Sequence, residues 1–212
     1  MKEEQRKQGV QRIESALRGA DLVVVDIGRN DWWLDVSPGL TARNIKRIAG
    51  LAARMGKADG QGPLVVIAKL IPNERLERRN EVTQQDFVLL VNQALTLLNQ
   101  ERYPVAVPFD QLPPYGYLQD PPRTDAGVHP TSAGYDILSD ILIDFLKNGA
   151  QDLMAAQRGD DDEDDVFTLC ESKYYRTKPN DPDTDADGYP DGQEIYELLT
   201  DPLDPLDPPP AS

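Results

Sequence analysis

ADLVVVDIGRND, residues 20–31, is the stretch of sequence that decides the fold. Its apolar part, DLVVVDI (21–27), is rich in valine and has the length of a strand. A continuous apolar run of this kind is typical of a parallel strand that is buried on both faces. Gly28 then allows a sharp turn, so that Asn30 and Asp31 follow at the point where the strand ends.

Strand-like and helix-like segments alternate along the rest of the first 150 residues. Two further apolar runs predict strands, PLVVIAKLIP (63–72) and YPVAVPFD (103–110), and the prolines limit the second to an edge or a short ladder. Helical apolar stripes cover residues 41–56, 83–102 and 131–149. This alternation predicts an α/β domain with a parallel sheet and helices on both faces. Ligands of such sheets bind beyond the carboxyl ends of the strands, where Gly28 to Asp31 lie.

The net charge of −15 is concentrated in the last quarter of the chain. Residues 160–212 carry 17 of the 37 acidic residues and 3 of the 22 basic ones, whereas residues 1–159 are nearly neutral. A chain with this charge repels nucleic acid and anionic membranes, and its acidic segment favours cations as partners. The single cysteine, Cys170, excludes an intrachain disulfide, and the charged N-terminal segment does not have the pattern of a signal peptide.

DTDADGYPDGQE, residues 183–194, has the ligand spacing of an EF-hand loop. Gly188 stands at position 6, where the loop turns sharply, and a glutamate at position 12 can bind a hard cation through both oxygens. The predicted Ca²⁺ ligands at positions 1, 3, 5, 7, 9 and 12 are Asp183, Asp185, Asp187, the Tyr189 carbonyl, Asp191 and Glu194. The alternative is an acidic disordered tail in which the spacing is accidental.

The proline-rich flanks of this loop distinguish it from a helix–loop–helix pair. TKPNDP (177–182) recurs as TDPLDP (200–205), 23 residues later. With these flanks the segment resembles the thrombospondin type 3 repeats of extracellular and bacterial surface proteins. Dockerin modules are similar too, but they carry two full loops, and the sequence predicts one here. The resemblance implies calcium binding and an extracytoplasmic location, secreted, periplasmic or at the cell surface.

His129, the single histidine, stands in VHPTSAGY (128–135), where Thr131 or Ser132 is expected to cap the last helix. A histidine in a loop at a helix N-terminus can turn toward a cleft and act as a general base. Asp125, four residues earlier, is a candidate to hold the imidazole. The alternative is a histidine with a structural role in the loop.

The two motifs together resemble those of the SGNH, or GDSL, hydrolase family. That family has a strand ending in G-x-N-D, here Gly28 to Asp31, and a late D-x-x-H-P before its final helix. The resemblance spans about residues 10–147 and implies a three-layer, flavodoxin-like parallel sheet. It implies ester or acyl hydrolysis through a serine nucleophile, with His129 as the base and Asn30 as an oxyanion donor. The predicted catalytic residues are His129, Asp125, Asn30 and Gly28.

Two departures from the family pattern affect the predicted chemistry. Asp125 lies one residue farther from His129 than the pattern requires, and no Gly-Asp-Ser occurs in the chain. We therefore expect the C-terminal part of a GDSL-type hydrolase that lacks the nucleophile block and is inactive as given. Strand 21–27 would then be an unpaired sheet edge through which chains self-associate.

The predicted organisation has three parts: a hydrolase-like α/β domain truncated at its N-terminus (1–150), an acidic linker (151–176) and a calcium-binding repeat (177–207). The expected partners are Ca²⁺ and an ester or acetylated-glycan substrate, with no nucleic acid and no membrane span. The alternative function is that of a catalytically inactive, calcium-binding surface interaction protein. A different flavodoxin-like binding domain is the third possibility, but no glycine-rich phosphate loop supports it.

Overall fold

A computed structural model describes residues 17, 19–54, 63–72, 78–79, 82–100, 103–113 and 129–207. A parallel three-stranded sheet has the order β1 (Leu22–Val25), β2 (Leu64–Ala68), β5 (Ala106–Val107). In the register of β2 and β5, Ile67 lies opposite Ala106. A short antiparallel pair, β3 (Arg78–Arg79) and β4 (Val82–Thr83), lies between β2 and β5 in the sequence. The predicted α/β class with a parallel sheet is confirmed.

The described residues include four helices of seven or more residues: α1 (Pro38–Arg54), α2 (Gln84–Thr96), α3 (Ser132–Lys147) and α4 (Ala150–Ala156). Shorter helical turns follow at Thr168–Cys170, Glu171–Tyr175, Asp191–Gln193 and Glu194–Leu198. Thr83 caps α2, its hydroxyl accepting a hydrogen bond from the Asp86 amide. Thr131 caps α3 in the same way through the Gly134 amide. Threonine is suited to this position because its hydroxyl satisfies an amide that has no partner within the helix. None of the described helices is long and apolar enough to cross a membrane.

The chain divides into two compact units, and the boundary falls within β1, β2 and α1. One unit comprises Met1–Val23, Lys46–Val65 and Met154–Ser212, and the other comprises Val24–Ile45 and Val66–Leu153. The second unit buries apolar side chains of β2, α2 and β5. The first buries small residues of α1 and the apolar side chains of its C-terminal segment.

Two side-chain amides extend the hydrogen bonding of the sheet strands. The Gln157 amide donates to the Val65 carbonyl (2.6 Å) and accepts from the Val65 amide (3.0 Å). The Asn99 amide serves β5 similarly, donating to the Ala106 carbonyl and accepting from the Val105 and Ala106 amides. A buried peptide group without a hydrogen-bond partner destabilises the fold. These two side chains therefore supply the hydrogen bonds that a neighbouring strand would otherwise supply.

Two features differ from the sequence-based expectation. Leu22, Val23 and Val24 of β1 are half-buried and Val25 alone is buried, since β1 pairs only with β2 in the described part of the chain. Residues 151–176, predicted as an acidic linker, contain most of α4 and a group of buried side chains. The buried apolar side chains of this segment are Leu153, Val166, Phe167, Leu169, Cys170 and Tyr174.

Candidate functional site

The turn at the carboxyl end of β1 depends on Gly28. Its φ of 109° lies in the left-handed region, and the 3₁₀ helix Arg29–Leu34 begins directly after it. A β-carbon at this position would lie 2.8 Å from Thr41 Cγ2 and 3.0 Å from Ile45 Cδ1. Both the backbone conformation and the space therefore require glycine.

Asn30 and Asp31 have different environments within this turn. The Asp31 carboxylate accepts a hydrogen bond from the Thr41 hydroxyl (2.9 Å), and the Asp31 amide donates to the Gly28 carbonyl (3.1 Å). The Asn30 side chain is exposed. Asp31 thus fastens the turn to α1, while Asn30 offers an amide to solvent at the strand end.

The loop after β2 is held by two side chains from other elements. The Asn92 amide of α2 accepts from the Leu70 amide and donates to the Leu70 carbonyl, both at 2.7 Å. The Arg29 guanidinium donates to the Ile71 carbonyl. Burial lowers the pKa of Arg29 to about 10, although the charge of Asp26 acts in the opposite direction. The backbone around Leu70 and Ile71 is therefore fixed beside the Gly28 turn.

A partly buried ion pair at the ends of β2 and β5 was not predicted from the sequence. Lys69 directly follows β2 and is 7% exposed, and its Nζ lies 2.8 Å from Asp110 Oδ2. Asp110 belongs to the 3₁₀ turn Phe109–Gln111 after β5. Both residues are visible in the sequence as charged residues in apolar runs: Lys69 interrupts the run 63–72, and Asp110 ends the run 103–110.

His129 is exposed and precedes the buried Pro130, immediately before the capping Thr131. It belongs to the same compact unit as the Gly28 turn and Asn30. Asp125 lies outside the described residues, so the predicted pairing of Asp125 with His129 stays a prediction.

The predicted calcium loop brings three of its carboxylates together. Asp183, Asp185 and Asp187 each offer an oxygen, and these atoms all lie within 4.8 Å of one another. Gly188 has a φ of 98° and donates its amide to Asp183 Oδ2 (3.0 Å), while the Tyr189 amide donates to Asp187 Oδ1 (3.0 Å). The loop backbone thus curls around the carboxylates.

Asp191 and Glu194, the last two acidic residues of this loop, are both fully buried. Glu194 is fully buried; its Oε1 accepts from the Thr200 hydroxyl (2.9 Å), and its Oε2 has no hydrogen-bond partner. Burial, with the charges of Asp185 and Asp187, raises the pKa of Glu194 to about 7. The Asp191 carboxylate accepts two hydrogen bonds from Thr184, at 2.8 and 2.7 Å, and lies with Asp164 and Glu171.

The donor set of this loop fits a hard divalent cation. Its side-chain ligands are all carboxylates, which calcium prefers. A buried carboxylate oxygen without a partner, such as Glu194 Oε2, is costly and would be stabilised by a cation. The predicted ligands Asp183, Asp185, Asp187 and Glu194 would hold it.

The model of the GDSL-like lipase/acylhydrolase family matches residues 3–137, more than half of the chain. The chain belongs to this family. The matched range includes the Gly28 turn and His129, whereas the acidic loops lie beyond it. No match was found among curated proteins or among solved structures.

The serines in the described part of this GDSL-like chain do not stand at the ends of sheet strands. Ser37 accepts from the Leu40 amide just before α1, and Ser132 is the first residue of α3. Ser139 and Ser172 donate to the carbonyls of Tyr135 and Thr168, four residues earlier. Each therefore has a local structural environment rather than that of a strand-end nucleophile.

Proposed function

We propose that this chain carries a GDSL-type acyl-hydrolase domain for carboxyl esters or acetylated glycans and, as given, lacks the catalytic serine. Membership of the family is the observation that carries the proposal. The Gly28 turn adds to it, since its conformation delivers Asn30, exposed, to the carboxyl end of a parallel strand.

In this proposal His129 is the general base and the Asn30 amide is a hydrogen-bond donor to the oxyanion, with the Gly28 amide beside it. Ester hydrolysis develops negative charge on the carbonyl oxygen, and a fixed donor stabilises that charge. A histidine near neutral pH takes the proton of the attacking hydroxyl and returns it to the leaving alcohol. Without a serine, no acyl-enzyme can form, so the donor and base have no covalent partner.

Hydrolysis of p-nitrophenyl acetate tests this proposal. We expect no saturable turnover by the chain above the rate of an equal concentration of free imidazole. Turnover that His129→Ala abolishes and that serine-directed inhibitors block would contradict the missing nucleophile. If the nucleophile is missing, adding a second chain that supplies a Gly-Asp-Ser block should restore activity to the wild-type chain but not to His129→Ala.

We also propose that residues 183–194 bind one Ca²⁺ in an extracytoplasmic setting, where calcium is plentiful. The clustered carboxylates and the buried, unpartnered oxygen of Glu194 support it. Glu194→Gln should weaken calcium binding by at least about tenfold, because position 12 supplies two oxygens. Glu197→Gln is the matched control, since Glu197 is exposed and lies one helical turn away. Equal affinity in both variants would contradict this site.

A calcium-binding surface interaction protein without catalysis is the second candidate function. The local structural environments of Ser37, Ser132, Ser139 and Ser172 favour it. Both candidates predict no turnover by the chain alone, so the addition of a Gly-Asp-Ser block separates them: restored activity that requires His129 would exclude this candidate.

Self-association through strand 21–27 is proposed for either function. The supporting observation is that β1 pairs only with β2 among the described residues. Size-exclusion chromatography over a concentration series should show a shift to larger species as concentration rises. A single monomeric species at every concentration would contradict it.

A further inference from the structure

The acidic segment 160–171 repeats the pattern of the calcium loop 183–194 at a distance of 23 residues. Four acidic residues correspond pairwise at this offset: Asp160 with Asp183, Asp162 with Asp185, Asp164 with Asp187, and Glu171 with Glu194. The same offset separates the flanking TKPNDP and TDPLDP segments. The segment therefore has a loop pattern of its own.

The backbone repeats along with the sequence. Glu163 and Ala186, at position 4 of each loop, have φ values of 61° and 63°. Arg176 and Leu199, five residues after each glutamate, have φ values of 69° and 61°. Non-glycine residues seldom adopt this conformation, so its recurrence at matched positions shows that the two segments share one fold.

The glutamate at the end of each loop is held by the same hydrogen bond. Thr177 donates to Glu171 Oε1 at 3.2 Å, as Thr200 donates to Glu194 Oε1 at 2.9 Å. In each case the threonine lies six residues after the glutamate, and the second carboxylate oxygen is buried without a hydrogen-bond partner.

The two most buried acidic residues among the proposed ligands of the first loop each have a carboxylate oxygen without a hydrogen-bond partner. Glu171 is fully buried and Asp164 is 7% exposed, and the unpartnered atoms are Glu171 Oε2 and Asp164 Oδ2. Buried polar atoms are normally paired, and unpaired charged ones are the most costly. These oxygens point to a cation as their missing partner, independently of the acidic pattern.

Asp191 of the second loop joins this group. One carboxylate oxygen each from Asp164, Glu171 and Asp191 lie within 4.8 Å of one another. Gly192 makes the approach possible, because a β-carbon there would collide with the Asp164 carbonyl oxygen. The two loops therefore meet at backbone distance, and a carboxylate of one enters the cluster of the other.

We propose that residues 160–171 bind a second divalent cation of the calcium class, with Asp160, Asp162, Asp164 and Glu171 as ligands and Asp191 as a ligand from the neighbouring loop. This site is additional to the proposed one at 183–194. Because Asp191 belongs to one loop and contacts the cluster of the other, cation binding at the two sites is coupled.

The electrostatics agree with this assignment. Burial raises the pKa of Glu171 to about 8, and the charges of Asp162 and Asp164 add to the shift. Burial likewise raises the pKa of Asp164 to about 6. A divalent cation removes this repulsion by supplying the opposite charge.

Isothermal titration of the full chain with calcium tests the proposal. We expect two ions per wild-type chain, and one in Glu171→Gln. Glu163→Gln is the matched control, because it removes one charge from an exposed position of the same loop, and it should still bind two. One ion in the wild type, with Glu171→Gln unchanged, would overturn the second site.

Two further variants separate this site from the proposed loop at 183–194. If only the first loop binds, Glu194→Gln leaves one ion bound and Glu171→Gln leaves none, whereas no binding in the wild type refutes both sites. Asp162→Asn repeats the test at a half-buried ligand if Glu171→Gln does not fold. Asp191→Asn should weaken both sites by about tenfold, and an unchanged affinity at the first site would contradict the coupling.

Discussion

The Gly28 turn and the two acidic loops both gather polar side chains, but they satisfy them in different ways. At the turn, Asp31 is paired with Thr41 and the nearby Leu70 peptide is paired with Asn92. In the loops, Glu171 and Glu194 each keep one buried oxygen without a partner.

This difference separates two kinds of site. Around the turn, side chains of the protein pair the Asp31 carboxylate and the Leu70 peptide, and the buried atom without a partner, Arg29 Nη1, is a donor rather than a carboxylate oxygen. In the loops, the backbone and threonine hydroxyls fix the carboxylates, and some of the remaining buried oxygens have no partner. We therefore expect the first arrangement to be stable without a ligand and the second to depend on a bound cation.

Calcium removal should therefore have the largest effect on the protein, and this effect should be confined to the acidic loops. With a chelator present, we expect amide protection at Tyr174 and Ile195 to fall to that of exposed segments, because the carboxylates repel one another. Protection at Val66 and Val91, in the other unit, should remain. Hydrogen exchange with and without calcium measures this, and equal loss in both units would remove the distinction.

The pH dependence of the chelated chain sharpens the same comparison. Because burial raises the folded-state pKa of Glu171 to about 8 and of Glu194 to about 7, the folded loops bind protons that the unfolded chain releases. The contribution of these two glutamates to the free energy of unfolding should thus be greatest below the ordinary glutamate pKa of about 4.5. It should fall as the pH rises from there through about 8. Thermal unfolding in chelator over this range measures it. In saturating calcium this fall in stability should be absent. If the fall persisted in calcium, protonation of Glu171 and Glu194 would not be its cause.

Asn92→Ala should cost about 2–4 kcal/mol, because it leaves the buried amide and carbonyl of Leu70 without their partners. Asn44→Ala, at an exposed position of α1, is the matched control and should change stability little. Denaturant unfolding of both variants in calcium gives the difference. Similar values for the two would show that the hydrogen bonds of Asn92 are not what stabilises the backbone beside the turn.

Gly28→Ala should cost about 1–3 kcal/mol, because alanine is strained at a φ of 109° and its β-carbon meets Thr41 and Ile45. Gly39→Ala is the control, since Gly39 lies in α1 with no atom within 4 Å of an added β-carbon. It should leave stability unchanged or raise it slightly. Chemical unfolding distinguishes them, and a neutral Gly28→Ala would refute the requirement for glycine.

The sequence predicted features that depend on local chemistry. Valine runs identified β1 and β2, and Thr131 was one of two residues expected to cap the last helix, because capping needs only a hydroxyl at the right position. Position-by-position spacing identified the loop at 183–194. Gly28 was recognised because a strand-end turn requires an unusual backbone conformation.

Features that depend on packing between distant segments were not predicted. Gln157 pairs with Val65, 92 positions away, and no local pattern indicates such a partner. The segment 160–171 was interpreted as part of an acidic linker because of its run of charged residues. Its position 6, usually glycine, is Asp165, and the φ of 81° there lies in the left-handed region, as does that of the corresponding Gly188. Comparing residues 160–171 with residues 183–194, at the 23-residue offset of the flanking segments, would have revealed this loop.

Native mass spectrometry of the full chain in millimolar calcium tests the central claim most directly. That claim is that a GDSL-type hydrolase domain is followed by acidic loops whose unpartnered carboxylates hold cations. We predict a species carrying two calcium ions, reduced to one in Glu171→Gln and in Glu194→Gln. A chain that carries no calcium under these conditions would contradict it.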